Sequence, residues 1–199
     1  FCGTPTTIVD VTSTTGKTWM DRNLGASQAT TDSFDVNSYG DLYQWGRAAD
    51  GHQCRTSGTT STNATTALPN AGNSWDGLFI LETVDPHDWL TPQDATLWQG
   101  VNGTNNPCPN GYRLPADAEW TEEKNRYGIG ITPAFDSPLK LPAAGYRKRE
   151  DGDPLSVGSL GYYWSSAVNS TYAKYFQFWS GGGNFSLARG GSVRCIKHE

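Results

Sequence analysis

The sequence predicts an α+β fold in which two short helices pack on twisted antiparallel sheets joined by long loops. Three observations carry that expectation. Short β-branched or alternating runs recur between turn residues, such as Thr6–Val11 and Tyr172–Trp179. Only two segments space their apolar residues as a helix would. The chain is 36% hydrophobic with mean hydropathy −0.58, yet it holds 8 Trp, 9 Tyr, 7 Phe and 23 Gly. A chain short of aliphatic residues must pack its core with aromatic ones, between many turns. At 199 residues, one domain spanning 1–199 is expected.

Thr6–Val11 reads as a first strand, Thr14–Lys17 as a turn and Lys17–Arg22 as the returning strand, with Trp19 and Asp21 on one face and Met20 and Arg22 on the other. Ser38–Ala49 is one helix candidate, because Leu42, Trp45 and Ala49 would form a stripe, and Gly46 would admit a close neighbour. Residues 50–110 are the least regular, and Trp75, Trp89 and Trp98 there are expected to form small cores under loops.

Gly111–Trp120 reads as a turn entering the second helix. Pro115 sits at its start, and Asp117 and Glu119 place negative charge at the positive end of the dipole. Trp120 and Tyr127 share a face, and Gly128 and Gly130 end the helix. Leu139–Ala144 reads as a strand, 145–154 as an exposed excursion, and Gly161–Val168 as a strong strand. Tyr172–Trp179 should place Phe176 and Phe178 opposite Tyr175, Gln177 and Trp179. Gly181–Asn184 turns, and Ser192–Lys197 closes the chain as a last strand with Val193 and Cys195 inward.

Net charge is −5 with scattered basic residues, which argues against a nucleic-acid footprint. No apolar run approaches membrane-spanning length, so no insertion into a membrane is expected. The chain opens at Phe1 without Met or a visible signal peptide and reads as a fragment or processed form. Cys2, Cys54, Cys108 and Cys195 are even in number, widely spaced and free of a C-x-x-C pattern, which favours two disulfides over zinc. Three connectivities are open, and any of them implies a secreted or cell-surface setting. The sequons at Asn63, Asn102, Asn169 and Asn184 are of a number expected by chance in so Asn-, Ser- and Thr-rich a chain.

"GYRLPADAEW" at 111–120 resembles the G-[WY]-R-[LV]-P-T-x-A-E-W signature of the formylglycine-generating enzymes and of the Fibrobacter succinogenes major paralogous domain family, a group of bacterial surface modules. "TGKTWMDRNLGAS" (15–27), "GDLYQWGRAADG" (40–51), "LPAAGYR" (141–147), "GYYWSS" (161–166) and "GGSVRCIK" (190–197), in that order, resemble the second group over nearly the whole chain. The resemblance implies a C-type-lectin-like fold, whose neighbouring first and last strands would pair Cys2 with Cys195 and leave Cys54 with Cys108. It implies a non-catalytic extracellular recognition module, a lectin-type domain of a bacterial adhesin or surface protein. Its partner would be a glycan on a host or neighbouring cell, and calcium its cofactor. A protein-binding variable domain of a phage or retroelement-diversified receptor is the alternative, and a formylglycine-generating enzyme a remoter one.

Three groups of residues are candidates for that chemistry. Glu150, Asp151 and Asp153, with Asn169, offer hard oxygen donors for calcium, although Arg147, Lys148 and Arg149 could pair with them instead. Tyr146, Arg147, Tyr175, Trp179, Asn184, Ser186 and Arg189 combine aromatic faces with amide, hydroxyl and guanidinium groups, as sugar binding requires. Asp85, Asp88 and Asp94 around His87 suit metal or acid–base work, or loop capping. No catalytic residue is expected. No nucleophile-and-base arrangement or phosphate loop is present, and the cysteines read as structural.

Overall fold

The computed structural model describes residues 2, 5–70 and 72–199. The elements are β1 (Asp10–Thr12), β2 (Thr18–Met20), a 3-10 turn (Val36–Ser38), β3 (Tyr43–Gln44), β4 (Thr59–Thr60), β5 (Phe79–Ile80), β6 (Tyr112–Arg113), α1 (Asp117–Tyr127), α2 (Ile131–Asp136), β7 (Tyr146–Arg147), β8 (Pro154–Leu155), β9 (Tyr162–Asn169), β10 (Tyr172–Gln177), β11 (Gly183–Ser186), β12 (Gly190–Gly191) and β13 (Ile196–Lys197). They build a mixed α/β protein with few helices and several small antiparallel sheets. The sheet orders are β1-β2-β13-β6, β11-β10-β9 and β3-β12-β7-β8, with a parallel pair β4-β5.

Two aromatic cores explain why several strands are apolar on both faces. In β2, Trp19 enters one core and Met20 the other. In β9, Tyr163 and Trp164 divide the same way, and in β10 Phe176 lies opposite Ala173. One core stacks Trp120 on Phe176 with ring centres 5.0 Å apart and tilts Trp19 against Trp120 at 4.8 Å. The other gathers Trp45, Trp75, Trp89, Trp98 and Trp164. Buried indoles need partners for their N–H groups. Trp164 donates to the Tyr43 carbonyl at 2.7 Å, Trp45 to Ser165 at 2.8 Å, Trp89 to Trp45 at 2.7 Å and Trp98 to Asn105 at 2.8 Å. Each therefore ties together two segments that share no ladder.

The 117–127 helix forms as expected, and so does the hairpin, except that its first strand is Asp10–Thr12 and not Thr6–Val11. Gly16 takes φ +86° in the turn between β1 and β2. At the start of α1, Ala116 has no side-chain acceptor. Glu119 accepts from its backbone N–H at 2.7 Å and from Arg113 at 2.8 Å, supplying half a capping box.

Several expectations are corrected. Ser38–Ala49 is not a helix. Gly40 and Gly46 adopt φ of +66° and +81°, Tyr43–Gln44 pairs with Gly190–Gly191, and the Trp45 N–H donates to the Leu187 carbonyl at 3.0 Å. Long-range partners satisfy this backbone, so the i, i+3, i+7 stripe has no helix to serve. Gly46 does admit a neighbour, since an added Cβ would lie 3.2 Å from Leu97. The second helix is instead α2. The expected strand Leu139–Ala144 does not form, since Lys140 takes φ +44° and the Ala144 N–H donates to the Pro142 carbonyl at 3.0 Å, and residues 145–154 form the hairpin β7–β8 with Tyr146 and Arg147 buried. Trp75, Trp89 and Trp98 belong to a main core.

The cysteine pairing is also the reverse of the one implied by the resemblance: Cys2 bonds Cys54, and Cys108 bonds Cys195. The last strand β13 lies between β2 and β6. Cys195 therefore meets the turn that leads into β6, where Cys108 sits. β1 is the sheet edge, and the chain before it runs to the loop holding Cys54. Two disulfides fit an oxidising, extracellular setting. No helix among the described residues is long and apolar enough to cross a membrane.

Candidate functional site

Strands β7, β9, β10 and β11 bring four aromatic rings together. The β10–β11 register places Ala173 opposite Phe185 and Tyr175 opposite Gly183, so Tyr175 and Phe185 share a face. Gly183 has no side chain, and the Tyr175 ring lies across it, within 3.0–3.2 Å of where a Cβ would stand. Tyr175 stacks on Phe185 at 4.1 Å, Phe185 on Tyr162 at 5.1 Å, and Tyr146 meets Tyr162 at 4.7 Å. Arg189 completes the group, its guanidinium 4.7 Å from the Phe185 centroid and 5.2 Å from Tyr146. One arm reaches Glu150 at 3.8 Å. Tyr175, Phe185 and Arg189 are half-buried, while Tyr146 and Tyr162 are buried, each 8% exposed. Burial pushes the Tyr162 and Tyr175 hydroxyls above the usual phenol range, so both remain donors at neutral pH.

Of the residues expected at this face, Tyr146, Tyr175 and Arg189 converge and the others do not. Asn184 pairs with Lys174 and Ser186 with Tyr172, on the side away from Tyr175, and Ser186 is buried. The expectation had put Asn184 and Ser186 with Tyr175. The observed register gives that side to Phe185. Trp179 lies beyond the end of β10, 75% exposed and apart from the cluster. Arg147 is a buried tie, not a surface contact. It donates to the Gly152 carbonyl at 2.7 Å, the Cys54 carbonyl at 3.0 Å and Ser57 Oγ at 2.6 Å, and lies 4.1 Å over the Phe79 ring. Burial draws its pKa down to about 10. Tyr162 and Phe185 were missed as site residues, because only the pairing of β9 and β11 with β10 puts them on the side of Tyr175.

The four proposed calcium ligands do not gather. Asp151 pairs with Lys148 and accepts the Asp153 N–H at 2.9 Å, and Glu150 faces Arg149 at 3.2 Å. Asn169 lies at the far end of β9 from Gly161, where β9 approaches the β7 segment. Among the described residues, no three His, Cys, Asp or Glu side chains stand where they could hold a metal.

Around His87, Asp94 caps the Thr96 N–H at 2.8 Å and Asp85 meets His87 Nε2 at 3.1 Å. Asp88 is buried. Its Oδ1 accepts from Leu90 at 3.1 Å, its Oδ2 has no partner among the described residues, and burial raises its pKa to about 7.

A buried polar network lies beneath β3, unforeseen in the sequence because its members read as a helix and a loop. Arg47 donates to Gln44 Oε1 at 2.8 Å and Asp50 Oδ2 at 2.6 Å, with its guanidinium 5.1 Å from the Trp75 centroid. The Gln44 N–H donates to His52 Nε2 at 3.1 Å, so that nitrogen is unprotonated. The ring proton therefore sits on Nδ1 and goes to Asp50 Oδ1 at 2.6 Å. Burial, with Arg47 adding to it, depresses the His52 pKa to about 4. Burial acts to raise the Asp50 carboxyl, but His52 and Arg47 together hold it below the usual range. Every member is committed to another, so the network reads as architecture.

This chain matches no family model, no curated protein and no solved structure. The chemistry of its own side chains is what remains to indicate function.

Proposed function

We propose that this is a non-catalytic extracellular recognition module of C-type-lectin-like fold, binding a glycan on a neighbouring cell surface through Tyr175, Phe185 and Arg189, with Tyr146 and Tyr162 buried against them. The observation that carries the reading is the half-exposed Tyr175–Phe185 stack with the Arg189 guanidinium beside it. Aromatic faces take the C–H surfaces of a sugar ring, and a guanidinium donates in a fixed fork to hydroxyls or a carboxylate. The two disulfides and the meeting of the chain's two ends in one sheet support a secreted module of this kind. Calcium has no part in this reading, because Lys148, Arg149 and Arg189 already stand against the acidic turn.

A glycan array with and without chelator tests it. Binding should survive EDTA and fall at least tenfold in Arg189→Ala and Phe185→Ala while thermal stability stays within a few degrees. An array without hits, beside capture of a protein ligand lost in the same variants, would replace the glycan reading with protein recognition. Loss under EDTA in the wild type would return calcium to the site.

A further inference from the structure

The chain has 8 tryptophans. Seven are buried, none more than 4% exposed, while Trp179 is 75% exposed. A fold that hides every other indole leaves this one in water, although an indole gains as much from burial as any side chain. Trp179 stands in the turn between β10, which ends at Gln177, and β11, which starts at Gly183. The Gly181 N–H donates to the Gln177 carbonyl at 3.0 Å and closes that turn. The chain leaving α1 runs beside it, since the Gly130 N–H donates to the Phe178 carbonyl at 2.7 Å. Ile129, 54% exposed, and Trp179 each stand one residue from that bond. Two large apolar side chains thus share one end of the molecule.

The same end gathers positive charge. Of the six lysines, Lys17, Lys148 and Lys197 each have a carboxylate within 4.0 Å, and Lys140 lies over the Phe135 ring. The other two, Lys124 and Lys174, have no carboxylate within that distance among the described residues, and both adjoin this hairpin. Lys124, in the last turn of α1, lies across Gly181: a Cβ there would stand 2.6 Å from Lys124 Cδ and 2.9 Å from Nζ. Gly181, at φ +80° and without a side chain, is what seats that ammonium at the turn. Lys174 pairs with Asn184 and shares its face of β10 with Phe176, which stacks on Trp120 of α1. Both lysines therefore stand on the α1 side of the hairpin, and the turn itself, residues 178–182, holds no charged residue.

A small ligand needs walls to enclose it. The chain neighbours of Trp179 and Ile129 include Ser180, Gly181, Gly128 and Gly130, which are all small. A stable protein partner needs a patch of roughly 800 Å² on each side, more than two side chains on glycine turns supply. A bilayer needs neither walls nor a broad face, because tryptophan rests at the headgroup level and lysines near it meet anionic lipid. We propose that this end of the molecule docks on an anionic membrane surface, with Trp179 and Ile129 entering the headgroup region and Lys124 and Lys174 facing the lipid phosphates. The chain lies on the bilayer and does not span it. Its net charge of −5 sets the other faces against such a surface, which orients the molecule with this end down. The docking surface shares no residue with the glycan site and stands without it.

The test is co-sedimentation at low salt with vesicles of phosphatidylcholine alone and of phosphatidylcholine mixed with phosphatidylglycerol. The wild type should bind the mixed vesicles, bind the neutral ones far more weakly, and come off as salt is raised. Trp179→Ala should weaken binding roughly tenfold, as loss of a large apolar contact does. Lys124→Gln should weaken it about fivefold, the usual share of one lysine at an anionic surface. Both variants should melt within a few degrees of the wild type. Because Trp179 is the one exposed indole, brominated phosphatidylcholine in the mixed vesicles should quench part of the wild-type fluorescence and none in Trp179→Ala. Equal binding to the two kinds of vesicle, undiminished binding of Trp179→Ala, or bound protein that the brominated lipid does not quench would overturn the proposal. Absence of vesicle binding would overturn it too, and retention on an immobilised polyglutamate peptide, lost in Trp179→Ala, would then assign the patch to an acidic protein.

Discussion

Asp88→Asn should stabilise the protein at neutral pH and lose that advantage in acid. The carboxyl is 3% exposed, one of its oxygens is unpartnered, and its pKa is raised to about 7. Against an unfolded value of about 3.9, holding the charge in the fold at high pH costs about 4 kcal/mol at most. The sign follows from the folded pKa standing above the unfolded one. Stability from this group is full below about pH 4 and is lost as pH rises through 7. Asparagine keeps the acceptor for the Leu90 N–H but buries an amide N–H₂ where Oδ2 had no partner, at a cost of about 1–3 kcal/mol. The net expectation is a gain of about 1–3 kcal/mol near pH 7.5 and none, or a small loss, near pH 4.5. Urea titrations of both proteins at the two pH values measure it. Asp41, also raised to about 6, titrates in both proteins and cancels in the difference. A difference between the proteins that does not change with pH would refute the reasoning, because only titration of residue 88 links the two.

His52 should run in the opposite sense. Its folded pKa, about 4, lies below the unfolded value, so its contribution is present above about pH 6.5 and lost as pH falls through 4. Nitrogen-resolved NMR of the ring should show the Nδ1–H tautomer and no protonation above about pH 5; an Nε2–H signal would contradict the Gln44 contact. Non-reducing peptide mapping should recover Cys2–Cys54 and Cys108–Cys195. Replacing Cys108 and Cys195 together with Ser should cost about 4 kcal/mol, as expected for an 87-residue separation; a cost under about 1 kcal/mol would mean the bridge does not form.

The strands that the sequence made legible are those whose side chains announce them. β2, β9 and β10 carry large residues on both faces because both faces are buried, and their positions were readable to within a few residues. The helix at 117–127 was readable because its capping carboxylate, its buried Trp120 and its terminal Gly128 all act locally. Ser38–Ala49 was misread because Leu42, Trp45 and Ala49 satisfy a helical period by coincidence. What decides the conformation there is the pairing of Tyr43–Gln44 with Gly190–Gly191, near the other end of the chain, and no window of sequence contains both. The disulfides were misassigned for a related reason: pairing follows which strand lies beside β13, and composition does not encode sheet order.

The candidate surface divides along the same line. Tyr175 and Arg189 were identifiable as residue types suited to recognition, but their company was not. A register is a relation between two strands, and alternation within β11 alone leaves open which set of side chains turns toward Tyr175. The register gives that side to Gly183 and Phe185, so the face is more aromatic and less amide-rich than expected. The consequence is chemical. With Asn184 and Ser186 turned away, Arg189 is the main hydrogen-bond donor beside the Tyr175–Phe185 stack, and a ligand must supply most of the acceptors. Sugars bearing a carboxylate or several hydroxyl acceptors on one edge suit such a surface better than neutral, donor-rich ones, so acidic glycans should lead the array.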